Sequence, residues 1–414
     1  MVNQAFATVP SGIPGNPVPF TIHIPDEDIA QLKTLVQNTP IPPPSFYNTH
    51  SLAKNGPEFM FGGNRDFIVD AADAWVNNFD WRAREKYWNT FPQFTMNVTA
   101  PSDGQVFNLH FAALFSSKPD AIPVIASHGW PSSWVEFAPV MELLAAKYTP
   151  ETLPYHFIAP SIPDFGFSTR DKLLDTEIDL YKAAEALNEL MKALGFNAYI
   201  AQGGDVGSGL TAVLGAKHDE CKAVHFNNFL LRPSEREAVA KQPIAEEEKF
   251  SFAIAEVYYY QGTGYMLEQG TKPGTISLAL MTNPLALLAW IGGLINEGGG
   301  KSIDDTLEMV SWCWYTKSYG RSLWAYRAVW EGMLRDTGSK LPSPLVIKKP
   351  LGYSWFRGEV LTSARSWLEH WFPDNLVFFQ AHDKGGHFAS SDVPETFLKD
   401  VEDFVAVIQT KVKF

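Results

Sequence analysis

Ala198-Tyr-Ile-Ala-Gln-Gly-Gly-Asp-Val-Gly-Ser-Gly-Leu210 begins as an apolar strand, breaks on glycines and resumes as a helix of small residues. The break carries a carboxylate, Asp205, with Gly203 and Gly207 two positions to either side. That spacing suits a cramped strand-to-helix turn that lifts the central side chain above a sheet, a nucleophile elbow. Serine at such a turn attacks a carbonyl. Aspartate attacks saturated carbon and forms an alkyl ester. One residue therefore selects the chemistry to look for in the rest of the chain.

A nucleophile on an elbow of this kind is followed in the chain by an acid and then a histidine. Gly385-Gly-His-Phe388 follows the apolar run Leu376-Val-Phe-Phe-Gln-Ala381, which puts His387 in a loop just past a buried strand. Upstream, Pro344-Leu-Val-Ile347 reads as a short core strand whose following loop carries Glu359. Glu359 is the preferred acid for orienting the imidazole. Asp374, Glu369 and Asp383 are its rivals, although Asp374 lies in a Pro-Asp-Asn turn and Asp383 sits beside the base.

Pro123-Val-Ile-Ala-Ser-His128 is a further apolar strand, and His128-Gly-Trp-Pro131 follows it before an amphipathic helix through Phe137, Met141, Leu143 and Leu144. Gly129 permits a turn that would aim the Trp130 N–H into the site. With the Val206 N–H it would hold the negative charge that forms as an ester is hydrolysed. Taken alone, Trp130 reads better as a core aromatic and His128 as a satisfied core histidine; beside the elbow and Gly385-Gly-His387 the functional reading is preferred.

The motifs His128-Gly-Trp-Pro131, Gly203-Gly-Asp-Val-Gly-Ser208 and Gly385-Gly-His-Phe388 resemble those of microsomal-type epoxide hydrolases, especially the soluble fungal members. The likeness spans nearly the whole chain. Pro19-Phe-Thr-Ile-His-Ile-Pro-Asp-Glu27, Asp80-Trp81 and Asn89-Thr-Phe-Pro-Gln-Phe94 resemble the N-terminal region of that family. Gly264-Tyr265 through Pro273 and Trp324-Ala-Tyr326-Arg327 resemble its two lid segments, which bear the ring-opening tyrosines. The resemblance implies that Tyr265 and Tyr326 hold the epoxide oxygen and protonate it, a role open to a phenol because its ordinary pKa of ~10 keeps it protonated at neutral pH. Tyr258, Tyr259, Tyr260, Tyr315 and Tyr319 show how common tyrosine is here, so each is by default a packing residue. Three positions depart from the family pattern. Val206 stands where relatives often have Trp, Asp164 where glycine is usual, and Ser132-Ser133 where Gly-Ser is commoner. Asp164 would add a carboxylate near the elbow and could alter electrostatics or substrate preference.

The expected fold class is α/β, an α/β-hydrolase core with a mostly parallel sheet, an N-terminal meander and a helical lid insertion. Residues 1–95, rich in proline and aromatics and holding the non-helical run Pro40-Ile-Pro-Pro-Pro44, would form the meander. Residues 96–230 alternate strand and helix as the first part of the core, the mark of a parallel sheet covered on both faces. Residues 231–340 turn helical, with glycine breaks at Gly262, Gly264 and Gly298-Gly-Gly300, and read as the lid; 341–414 complete the core.

The 414 residues are 45% hydrophobic and 14% aromatic, with a net charge of −13 that argues against nucleic acid or an anionic membrane as partner. Cys221 and Cys313 form no disulfide framework or zinc spacing and read as buried thiols. The start lacks a signal-peptide pattern, and Leu285 to Ile295 is too short to span a bilayer, so a cytoplasmic protein without a membrane anchor is expected. No metal or organic cofactor is required. The expected partners are a small-molecule epoxide and, at most, a second copy of the chain as a homodimer.

Rival functions exist. Gly207-Ser-Gly-Leu-Thr-Ala212 matches a dinucleotide fingerprint, but the next strand ends in Asn227-Asn228 instead of an acid, and Asp205 would repel pyrophosphate. Haloalkane dehalogenase shares the aspartate nucleophile but needs halide-binding N–H donors instead of a tyrosine pair. A repurposed hydrolase fold acting on a specialised biosynthetic epoxide is the third reading.

Overall fold

A computed structural model describes residues 2–50, 61–229, 231–297, 301–329 and 346–414. Ten strands form one sheet: β1 (Val18–Pro19), β2 (Gln93–Thr99), β3 (Val106–Leu114), β4 (Ile122–Ser127), β5 (Tyr155–Pro160), β6 (Thr169–Arg170), β7 (Tyr199–Gly203), β8 (Cys221–Phe226), β9 (Leu351–Gly358) and β10 (Leu376–Gly386). The order is β1-β2-β3-β5-β4-β7-β8-β9-β10, with β6 antiparallel to β3. From β5 to β10 all neighbours run parallel. β4, β5 and β7 are buried at every position, as expected of strands covered on both faces.

The flanking helices are amphipathic. In Leu180–Ala193 the buried side chains Leu180, Ala183, Ala184, Leu187, Leu190 and Met191 recur at helical spacing, and Asp179 caps the start by accepting from the Lys182 N–H at 2.9 Å. This helix packs against Val206–Lys217, while Pro394–Gln409 packs against Ala138–Lys147. Residues 231–297 and 301–329 are mostly helical. Their helices Pro284–Glu297 and Ile303–Tyr315 pack against the N-terminal helix Arg65–Asn77, where the Trp75 indole N–H donates to Ser311 Oγ at 2.9 Å.

Several expectations need adjustment. The N-terminal stretch is more helical than a meander, with helices at Asp26–Asn38, Phe46–Thr49, Arg65–Asn77 and Trp81–Trp88. Each of the last three has a side-chain N-cap, from Ser45, Asn64 and Asp80. The proline run at 40–44 is non-helical. The strand that directly precedes Glu359 is Leu351–Gly358; of the expected strand Pro344–Ile347, residues 346 and 347 are irregular and 344 and 345 lie outside the described residues, as do 330–340 and Gly298–Gly300. Aliphatic composition drew the strand too early, whereas Tyr353, Trp355 and Phe356 fill the core from the true one. The strand before His387 is half-exposed because β10 ends the sheet.

Among the described residues no single helix is long and apolar enough to cross a membrane. The bent pair Pro273–Leu280 and Pro284–Asn296 passes on length and composition only together. Its Leu287, Leu288 and Ile291 are buried within the protein.

Candidate active site

Parallel strands deliver their C-terminal ends to one edge of the sheet, where loops converge. Gly203 at the end of β7 pairs with Ser127 at the end of β4, which brings the loops of Asp205 and His128–Pro131 together. Gly386 at the end of β10 lies beside Gly358 at the end of β9, which does the same for His387 and Glu359.

Asp205 occupies the turn itself, with φ 51° and ψ −125° at the N-terminus of the helix Val206–Lys217. A positive φ at a non-glycine residue is strained and must be held by its surroundings. Small neighbours hold it. A Cβ on Gly207 would lie 1.9 Å from the Ser127 carbonyl oxygen, and one on Gly129 would lie 2.4 Å from the Asp205 Cβ.

The Trp130 N–H donates to Asp205 Oδ1 at 2.7 Å, and the Val206 N–H also reaches this carboxylate. On the other side, His387 Nε2 lies 3.3 Å from Asp205 Oδ2. His387 Nδ1 contacts both oxygens of the buried Glu359, at 2.9 and 3.1 Å. Glu359 is itself fixed by the Leu361 N–H, which donates to Oε1 at 2.7 Å. The rival acids stand apart: Glu369 pairs with Arg365, and Asp374 and Asp383 are exposed.

Burial pushes the Asp205 pKa up, but the His387 contact and the Trp130 and Val206 N–H groups outweigh it and hold the carboxyl below its usual range. Burial likewise opposes charge on His387, yet the Glu359 and Asp205 carboxylates raise its pKa well above the ordinary imidazole value. The two flanking carboxylates thus favour the charged form of His387.

Across from Asp205, Tyr265 on the helix Gly264–Thr271 and Tyr326 on Trp324–Val329 close the site. The Tyr265 ring stacks over Trp130 with centroids 5.8 Å apart, and the Tyr326 ring meets Trp130 edge-on at 5.1 Å. The Tyr265 and Tyr326 rings meet edge-on, with centroids 5.6 Å apart. Burial raises both pKa values well above 10, and the Asp205 charge adds to the effect, so both are protonated donors.

The sequence reading passed over two further groups. Tyr258, grouped there with the packing tyrosines, has its Oη 2.7 Å from that of Tyr265. Glu136 accepts from the Gly129 N–H at 3.4 Å and from Ser390 Oγ at 3.3 Å; burial pushes its pKa up to about 7. Neither belongs to a motif, and only the fold brings them to the site.

His128 is a core histidine. Its Nε2 accepts from the Ile162 N–H at 3.1 Å, Nδ1 lies 2.9 Å from the Gly129 carbonyl, and burial lowers its pKa to about 4. The Asp164 carboxylate is buried against Arg170, with Nε to Oδ2 at 2.8 Å, and feels the charge of Arg321 as well. Its charge is taken up by this pair, which accounts for its toleration in place of glycine. Both cysteines are buried free thiols. No cluster of potential metal ligands occurs among the described residues.

Asp205, the His387–Glu359 pair, the Trp130 and Val206 N–H groups and the Tyr265 and Tyr326 phenols thus gather on an α/β-hydrolase core, and comparison with known proteins gives the family. Residues 17–137 match the family described as epoxide hydrolase N terminus, and residues 122–277 match the alpha/beta hydrolase fold. The chain belongs to the epoxide hydrolase family. It is similar to the epoxide hydrolase of Aspergillus niger, with 39% identity, coverage of 97% of this chain and 99% of that one, and a TM-score of 0.85. Epoxide hydrolase 1 of Sus scrofa is 25% identical over 424 residues, 94% of this chain and 89% of its own. The juvenile hormone epoxide hydrolase of the silkworm Bombyx mori shares the fold, with 22% identity, full coverage of both chains (100% and 100%) and a TM-score of 0.80.

Proposed function

We propose that this enzyme converts an epoxide and water to a vicinal diol through an alkyl ester on Asp205. The observation that carries the reading is the division of labour around that carboxylate. Oδ1 is held by the Trp130 N–H, while Oδ2 lies 3.3 Å from His387 Nε2. Oδ2 attacks an epoxide carbon, the C–O bond breaks, and the departing oxygen takes a proton from the Tyr265–Tyr326 pair. The aromatic wall of Trp130, Tyr265 and Tyr326 excludes water and suits an apolar or aryl epoxide.

Ester formation abolishes the Asp205 charge, and with it one of the two carboxylates that stabilise the imidazolium. His387 then becomes easier to deprotonate, and its proton replaces the one lost by the phenol. Neutral His387, oriented by Glu359, removes a proton from water as the water attacks the ester carbonyl carbon. The Trp130 N–H, already donating to Oδ1, and the Val206 N–H, which reaches the same carboxylate, hold the negative charge that develops there. Collapse releases diol and restores the carboxylate and imidazolium, so protons balance over the cycle. A haloalkane would yield halide, which needs no proton; the two phenols favour an oxygen leaving group.

A single turnover in heavy-oxygen water tests this reading. The first diol should carry unlabelled oxygen from Asp205, with the label left in the protein. Full labelling of that first diol would show direct attack by water.

A further inference from the structure

We infer that Tyr258 is a positioning residue for the ring-opening acid, donating its hydroxyl hydrogen bond to the oxygen of Tyr265; this rests on the tyrosine roles proposed above. Tyr258 lies seven positions before Tyr265, in a single π-helical turn, Tyr258–Gly262, that interrupts the run from Lys249–Val257 to Gly264–Thr271. Such widened turns recur where a helix must redirect a side chain for function. Here the redirection is specific. The Tyr258 ring fits only because residue 262 is glycine, since a Cβ there would lie 2.6 Å from ring atom Cδ2. The result is the 2.7 Å contact between the two hydroxyl oxygens.

Of the two protons that a pair of neutral phenols carries, one lies in the hydrogen bond between them, and the reaction settles which oxygen donates it. When the epoxide C–O bond breaks, its electron pair stays on the epoxide oxygen. That oxygen takes the proton of Tyr265 directly, or takes that of Tyr326 while the neighbouring Tyr265, its ring edge-on to that of Tyr326, replaces it. In either case the negative charge comes to rest on the Tyr265 oxygen, which can then only accept. Tyr258 is the donor in place to meet it. Its hydroxyl both turns the Tyr265 proton toward the substrate and stabilises the phenolate left behind, so its contribution is largest in ring opening. The phenolate is discharged when the imidazolium releases its proton, before Tyr258 has any part in hydrolysis of the ester.

Rapid-quench single turnovers with styrene oxide would compare Tyr258→Phe, Tyr265→Phe and the double variant with the unaltered enzyme. Phenylalanine keeps the ring and removes the hydroxyl. Tyr258→Phe should slow ester formation about ten- to a hundredfold, the worth of a hydrogen bond to a charged oxygen. It should leave ester hydrolysis unchanged, and it should have no further effect once Tyr265 is phenylalanine. Equal slowing in both backgrounds would mark Tyr258 as structural and overturn the inference, as would a normal rate in Tyr258→Phe while Tyr265→Phe is slow. A normal rate in Tyr265→Phe would instead remove the proposed acid itself, and Tyr258's role with it. Should Tyr258→Phe fail to fold, Gly262→Ala, which displaces the ring with its hydroxyl intact, should give the same loss confined to ester formation; a loss spread over both steps would overturn the inference.

Discussion

Replacing Glu359 with glutamine should separate the two chemical steps. Glu359 is buried and touches His387 Nδ1 with both oxygens, at 2.9 and 3.1 Å, while Oε1 also accepts from the Leu361 N–H at 2.7 Å. Glutamine retains the shape and one oxygen for Nδ1–H but removes the charge. With charge centres roughly 4 Å apart and an effective dielectric of about 20, the pair is worth about 4 kcal/mol. At about 1.4 kcal/mol per factor of ten, that sets a ceiling near a thousandfold for the step in which His387 becomes an imidazolium. The retained hydrogen bond recovers part, so ester hydrolysis should slow by about 10²- to 10³-fold. Ester formation uses the carboxylate of Asp205 and the phenols, and should change by less than about tenfold. Rapid-quench kinetics on a single batch of epoxide would show fast substrate loss, slow diol release and accumulated ester. If ester formation slowed as much as hydrolysis, Glu359 would be holding the site together instead of supporting the base. If neither slowed, the acid would be another residue.

Replacing Tyr265 and Tyr326 singly with phenylalanine should lower the rate of ester formation, and replacing both should nearly abolish it, since general acid catalysis contributes about 10²- to 10⁴-fold; stopped-flow on the folded variants would check this, and a normal rate in the double variant would show the wrong residues had been named. The two steps should also respond differently to pH. Ester formation needs Asp205 ionised, and because its folded pKa is depressed the rate should hold down to acid pH. Hydrolysis needs His387 neutral, so its rate should rise as pH passes the imidazole pKa of the alkylated enzyme. That pKa should lie below the raised value of the free enzyme, because the Asp205 charge is gone.

The site was legible in sequence wherever a short segment must satisfy a demanding local geometry. The turn at Asp205 requires small residues at 203 and 207, and the approach of residue 129 to Asp205 leaves no space for a Cβ, so glycine spacing alone marks these places. His387 and Glu359 were found because they follow strands, although the strand before Glu359 was placed too early. Aromatic residues fill that strand, and apolar runs outside regular structure carry the same signal. The helices at Arg65–Asn77 and Trp81–Trp88, capped by Asn64 and Asp80, lie in a proline-free stretch, and the meander expected for the whole of 1–95 rested on the proline run at 40–44 well before them. Tyr258 and Glu136 could not be read at all. Their proximity to Tyr265 and His387 depends on a π-helical turn and on loop packing, neither of which leaves a pattern in the chain. The pairing of Asp164 with Arg170 is equally invisible in the chain, since no local pattern joins the two.

The central claim is that Asp205 becomes covalently bound to substrate, and His387→Gln tests it most directly. Glutamine cannot accept the proton of the attacking water, whereas Asp205, its backbone donors and the phenols remain. Incubation with an epoxide, followed by intact-protein and peptide mass spectrometry, should show one added epoxide mass per chain, located on the peptide containing Asp205. A variant that binds the epoxide yet acquires no mass, or acquires it on another residue, would contradict the two-step mechanism.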